Sequence, residues 1–157
     1  MASFLGLDFT RNLSYFAVPA AFWCAHSAHL YTIVFAGKSY DNSNPLALRD
    51  RIAEEPTLSA EASTSSKEHF IRAKNASQNG YETLGLFAAG VVAANQAGVS
   101  RRTLNALSWG YVASRVVYNL IYINLGGYRI AGAFMRSSAW SVSMILSIGL
   151  FVAAGFE

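Results

Sequence analysis

The sequence predicts an all-α, integral membrane four-helix bundle, on three observations. Of 157 residues, 53% are hydrophobic and only 13% charged, against about 25% charged in an ordinary soluble domain. Four windows are almost free of charge, and each can supply the roughly 20 residues that a helix needs to cross about 30 Å of hydrocarbon. Lysine and arginine are also shared unevenly between the connections. One Cys, 12 Gly and 3 Pro exclude a disulfide framework, a collagen-like repeat and a disordered chain. A scattered net charge of +3 argues for no nucleic-acid partner.

The windows give one domain, 1–157, with spans at about 13–36, 77–99, 103–126 and 137–156. The first holds Tyr15, Phe22, Trp23 and Val34 between Arg11 and Lys38. It is too long for a signal-peptide core, and no basic cluster or A-x-A site frames it, so it reads as a membrane helix. Pro19 stands near its start, where a missing N–H matters least. The second span is rich in Ala, Gly and Val, the third is broken only by Arg115, and the fourth runs from Ser137 to Phe156. The long polar loop 37–68 joins the first two spans. In it Pro45 and Pro56 bracket a short surface helix over 46–55, and the small polar run 59–66 serves as a linker or as a lid.

Basic residues orient the bundle. The first and third connections hold eight of the 12 Lys and Arg, whereas the N-terminus and second connection hold Arg11, Arg101 and Arg102. Both termini therefore lie on the far side of the membrane, and loop 37–68 faces the cytosol. Asn12-Leu13-Ser14 is a glycosylation sequon on that far side, too near the membrane for occupancy.

Ionisable groups inside a span are costly and mark candidate sites. On the third span Arg115, Tyr118, Tyr122 and Arg129 follow at intervals of three, four and seven. At about 100° per residue they share a stripe of roughly 60°, and Tyr111 lies on it too. On the second helix, extended back into the loop, Arg72, Asn75, Asn79 and Glu82 share another face. Counting about 1.5 Å per residue from a turn near 99–102 puts Glu82 level with Tyr118, Asn79 level with Tyr122, and Arg115 within reach of Glu82. The bland reading is an Arg115–Glu82 ion pair fastening two helices, with tyrosines snorkelling. The functional reading is a polar site at the cytosolic end.

Small residues recur at intervals of four, as Ala89, Ala93 and Ala97 beside Gly90, Ala94 and Gly98, and let helices approach closely in lipid. They suit packing within the chain or oligomerisation. His26 and His29 near Cys24 read as hydrogen-bonded bundle histidines rather than metal ligands, since His69 lies in the loop and no metal motif is present. Cys24 reads as a buried small hydrophobe.

The run 72–82, containing Arg72, Asn75, Asn79 and Glu82, resembles the signature helix of the MAPEG family, the membrane-associated proteins of eicosanoid and glutathione metabolism. The third-span pattern R-x-x-Y-x-x-x-Y is matched by Arg115, Tyr118 and Tyr122, and Arg136-Ser137-Ser138-Ala139-Trp140 also looks familial. The ordered set, covering nearly the whole chain, carries the resemblance. It implies a homotrimer of four-helix protomers in the endoplasmic-reticulum membrane. It also implies a glutathione site between subunits, open to the cytosol. Carried over, Asn79 and Glu82 bind the glutathione backbone, Glu82 taking its amino group. Arg72 reaches a carboxylate, Asn75, Arg115, Tyr118 and Tyr122 line the site, and Tyr118 also joins the catalytic residues. The catalytic arginine of some members falls at Arg129 and of others at Arg136, with Arg129 preferred. One departure stands out: Asn75 occupies a position where many glutathione-using members have arginine. Losing that cation removes a charge-assisted contact worth about 1.5–3 kcal/mol.

The resemblance implies a glutathione transferase or peroxidase acting on lipophilic substrates taken from membrane lipid. A guanidinium stabilises a thiolate without itself exchanging a proton. Two alternatives share the fold: an isomerase or cyclase of an apolar metabolite that does not consume glutathione, and a non-catalytic lipid-presenting protein.

Overall fold

The computed structural model describes residues 10–36, 43–44, 64–125 and 129–157. These form four helices, α1 (Ser14–Ala36), α2 (Thr64–Gln96), α3 (Arg101–Leu125) and α4 (Arg129–Gly155), with no strand among the described residues. The fold is thus the all-α four-helix bundle expected. The surface helix expected over 46–55 lies outside the described residues. Because α2 begins at Thr64, Arg72 and Asn75 sit on the same rod as Glu82.

Short-range chemistry fixes the helix ends. The Asn12 side chain accepts hydrogen bonds from the Ser14 backbone N–H at 3.1 Å and the Ser14 hydroxyl at 2.6 Å, capping α1. Helix α2 closes on Gly98, whose φ of +87° is accessible without the steric penalty a Cβ brings. Val99 N–H donates to Ala94 O and Gly98 N–H to Asn95 O, at 3.1 and 3.2 Å, a Schellman closure. Ser100 then caps α3 by accepting from the Thr103 N–H at 3.3 Å. The four residues 97–100 thereby reverse the chain and set α2 antiparallel to α3.

Helices α2 and α3 pack against each other, with α1 and α4 on opposite sides of the pair. At their middle the Phe87 and Tyr111 rings stack 3.9 Å apart, only 8° from parallel, and the Tyr111 hydroxyl meets the Thr83 hydroxyl at 2.9 Å. Val91, Ala94, Leu104 and Leu150 complete this core. Gly90 lets α4 approach, since a Cβ there would meet Leu150 and Phe151 at 3.0–3.3 Å. Its neighbours Ala89 and Ala97 point outward.

The distribution of polarity is the reverse of a soluble bundle. Ser108, Ser143, Ser147, Asn119 and Arg115 are buried, whereas Val34, Ile130, Phe134 and Ile145 are 68–88% exposed. In water such a surface is a liability; in lipid it faces its own kind, and buried polar groups hold the helices together. Among the described residues, 132–155 is one helix long and apolar enough to cross a bilayer on composition alone. The polar side chains carried by α2 and α3 dilute their apolar runs.

At the end of the bundle near the α2–α3 turn, Asn105 Oδ1 accepts from the Leu13 N–H at 2.8 Å and its Nδ2 donates to Arg11 O at 2.9 Å. Asn95 Nδ2 donates to the Ser14 hydroxyl at 2.9 Å. These bonds tie the start of α1 to α2 and α3. Asn105→Ala leaves the partly buried Leu13 amide without its acceptor and is expected to lower stability by about 1 kcal/mol, read as a lower unfolding midpoint in detergent.

Candidate functional site

The stripe read from the sequence on α3 is present, but it meets α2 about one helical turn away from the expected register. Arg115 Nη1 and Nη2 donate to Asn79 Oδ1, both at 3.2 Å, and Arg72 Nε donates to Ile123 O at 3.1 Å. The reversal occupies 97–100, about two residues earlier than the expected 99–102, and Arg115 comes opposite Asn79 and not opposite Glu82. The Arg115–Glu82 ion pair therefore does not form. Glu82 is exposed, and accepts from Gln78 Nε2 at 3.1 Å.

Arg115 is only 3% exposed. Its Cζ lies 4.5 Å above the Tyr118 ring, and Tyr118 is 5.6 Å from Tyr122 between centroids. Arg136 Cζ lies 4.9 Å above Tyr122. Each of two guanidinium groups thus stacks on one of two adjacent phenol rings. Stacking on a ring face, worth about 2 kcal/mol where water is excluded, keeps a guanidinium charged and leaves its N–H edge for another acceptor. Arg115 gives that edge to Asn79. Arg136, half-buried, has no hydrogen-bond acceptor or carboxylate partner among the described residues.

A cavity of about 510 Å³ between α2, α3 and α4 is lined by Asn79, Tyr118, Tyr122, Arg136, Ser137, Trp140 and Ser141. Arg115, expected to line the site, is not among them and reaches it only through Asn79 and Tyr118. Ser137, Trp140 and Ser141 were not singled out as site residues from the sequence. The signal was there: with Arg136 they fall at intervals of one, three and one, a single face of α4.

The other expected site residues are placed elsewhere. Arg72 Nη1 pairs with Glu68 at 2.9 Å, and its bond to Ile123 O satisfies one of the last carbonyls of α3, which lack an intrahelical donor. Both contacts tie it to the bundle rather than to the cavity. Asn75 is half-buried and does not line the cavity. Arg129 opens α4, and its side chain lies outside the described residues. Glu82 lines a second groove, of about 740 Å³, between α1 and α2. There His26 Nδ1 meets the Tyr81 hydroxyl at 2.8 Å and His29 Nδ1 meets Lys74 Nζ at 3.3 Å.

Fit to glutathione can be judged from the donors present. Glutathione has two carboxylates and a thiol, which ask for cations and N–H or O–H donors. Arg136, the two tyrosine hydroxyls, Ser137, Ser141 and the Asn79 amide supply that set around one cavity. Its ammonium asks for a carboxylate, and Glu82, which the resemblance assigns to it, opens onto the neighbouring groove instead.

A helical membrane bundle with an arginine–tyrosine cavity at one end defines the class of protein. The chain belongs to the MAPEG family, whose model matches residues 15–156. It is therefore a membrane protein of glutathione-related or eicosanoid metabolism, from a family that includes glutathione transferases. Comparison with curated proteins and with solved structures gives no significant match.

Proposed function

We propose that the protein is a multi-pass glutathione transferase or peroxidase of the endoplasmic-reticulum membrane, acting on lipophilic electrophiles or hydroperoxides. Its four helices each span the bilayer, and the α2–α3–α4 cavity opens toward the cytosol, the side favoured by the distribution of Lys and Arg. The observation that carries this reading is Arg136, stacked on Tyr122 at the edge of the cavity, with its N–H groups open to an anionic ligand.

The chemistry follows from one number. A thiol of pKa about 8.5 is only a few per cent thiolate at pH 7. A guanidinium held against the sulfur stabilises the anion, and about 1.4 kcal/mol of that preference lowers the thiol pKa by one unit. Arg136 fills this role from within the cavity. Asn79, oriented by Arg115, and the Tyr118 hydroxyl hold the peptide portion. The thiolate then forms a C–S bond to the electrophilic carbon as the leaving group departs, or attacks the terminal hydroperoxide oxygen. That attack breaks the O–O bond, releases the alcohol and leaves a sulfenic acid, which a second glutathione converts to glutathione disulfide and water. Trp140, exposed beside the cavity, offers an apolar approach from lipid.

A homotrimer suits this arrangement. The outward stripe of Ala89 and Ala97 permits close approach of another copy, and Glu82 on the open α1–α2 groove can complete the cavity of a neighbour. The isomerase or cyclase reading has its own support, in Asn75 where a cation is expected and in Glu82 outside the cavity. The test is titration calorimetry with glutathione, followed by product analysis with a reactive aryl halide. A thioether adduct and saturable binding are expected. Binding without an adduct favours the isomerase reading, and absence of binding ends the transferase one.

A further inference from the structure

Hydroxyl groups inside this bundle are tied back to their own helices. Ser27 donates to Cys24 O at 2.8 Å, Thr32 to His29 O at 2.7 Å, Ser114 to Tyr111 O at 2.7 Å and Ser143 to Ala139 O at 3.1 Å. A helix in lipid favours such bonds, because hydrocarbon holds no water to take a lone hydroxyl proton. Ser141, two residues before Ser143 on α4, departs from the pattern. It is exposed, lines the Arg136 cavity and makes no hydrogen bond among the described residues. Trp140 beside it is 39% exposed, lines the same cavity and stacks on no other ring among the described residues.

Position along α4 sets these two apart from the rest of the cavity. They follow Arg136 by four and five residues, which at about 1.5 Å per residue is roughly one turn further from the end at which α4 begins. In the proposed reaction Arg136 holds the thiolate, while Asn79 and Tyr118 hold the peptide. The deeper end is then where the second substrate meets the sulfur, and it offers a flat indole face and a neutral O–H donor. An indole face favours a planar π system over a saturated chain. An O–H donor acts most strongly where negative charge develops on an oxygen as the C–S bond forms. A conjugated carbonyl meets both demands, and an alkyl halide meets neither. Resting on the glutathione reading of this cavity, we propose that Trp140 and Ser141 form the electrophile subsite and select an apolar α,β-unsaturated ketone or aldehyde. The indole stacks on the conjugated plane, and the Ser141 hydroxyl donates to the carbonyl oxygen. The thiolate adds to the β-carbon, and the C=C π pair shifts to give an enolate whose oxygen Ser141 holds. The α-carbon then takes one proton from water, balancing the one the thiol gave up. Nothing leaves, and the product is the saturated thioether carbonyl.

The experiment uses the full chain in lipid nanodiscs with glutathione and two probes, an aliphatic enone and the alkyl iodide of the same chain length. The quantity read is the ratio of their kcat/KM values, enone over iodide, after subtracting the uncatalysed rates. Ser141→Ala should lower that ratio by about 10–100-fold, the worth of a hydrogen bond to a charged oxygen. Ser141→Thr keeps the hydroxyl and should restore most of it. Trp140→Leu keeps an apolar wall without the plane and should lower the ratio by about 2–10-fold. Should Trp140→Leu not fold, the two Ser141 variants decide the matter, since Ser141 is exposed and bonded to no described residue. A ratio unchanged in Ser141→Ala, or not restored by Ser141→Thr, overturns the subsite and leaves the glutathione reading standing, because the iodide is still conjugated. If the native protein conjugates neither probe, both fall together.

Discussion

Arg136→Ala is expected to lower kcat/KM for glutathione conjugation by about 10²–10³, the loss typical of removing one preorganised stabiliser of developing charge. The bundle should stay folded. Arg136 and the Tyr122 it stacks on are both half-buried, and Arg136 makes no other described side-chain contact, so the structural cost is that of one partly exposed cation–π contact, about 0.5–1 kcal/mol. The signature is in the pH profile. With the guanidinium gone, the apparent pKa governing conjugation should rise toward the 8.5 or so of a free thiol, and part of the activity should return at alkaline pH. Arg136→Lys keeps the charge without the planar fork and should fall between.

The same measurement on Arg129→Ala decides between the two arginines that the sequence leaves open. Arg129 is the first residue of α4, and Arg136 lies two turns further on, at the level where Asn79, Tyr118 and Tyr122 meet. If Arg129→Ala abolishes conjugation while Arg136→Ala leaves both rate and pH profile unchanged, the assignment to Arg136 is wrong, although the fold and the cavity are untouched.

How far the sequence carries depends on which interactions are local. The helices were legible because a charge-free window and its flanking charges are properties of consecutive residues. The Arg115–Tyr118–Tyr122 stripe was legible because helical periodicity alone puts those residues on one face. The partner of Arg115 was not. It depends on where the chain reverses, and a turn closed at Gly98 sets that point about two residues earlier than expected, bringing Asn79 rather than Glu82 to Arg115. The contribution of α4 was half-visible: Arg136 and Trp140 stood out as a pattern, but only packing against α2 and α3 shows Ser137 and Ser141 on the same cavity. Arg72 illustrates a different failure, since a cation on the right face can as well satisfy a helix end as a ligand.

Gly80→Ala is expected to be the most disruptive single-methyl change in the site. A Cβ at Gly80 would stand 2.6 Å from Ala25 Cβ and 3.2 Å from Ala25 Cα. Neither atom can turn away by changing rotamer, so α1 and α2 must separate where they are in closest contact. Overpacking of this kind costs about 1–3 kcal/mol, against a helix-propensity gain for alanine over glycine of about 1 kcal/mol. The disturbance does not stop at the helix contact. Arg115 Nη2 is 3.5 Å from the same point, so displacing it disturbs the hydrogen bonds to Asn79 and the stacking on Tyr118. A lower unfolding midpoint in detergent should therefore come with weakened glutathione binding. Gly85→Ala supplies the control, because nothing lies within 4 Å of a Cβ there: it should be neutral or slightly stabilising, with binding unchanged. Ala25→Gly should restore both properties to Gly80→Ala, since it removes the methyl that the new one strikes. If Gly80→Ala and Gly85→Ala behave alike, or if Ala25→Gly rescues neither stability nor binding, then α1 does not cross α2 at Gly80, and the placing of Arg115 against Asn79 loses its support.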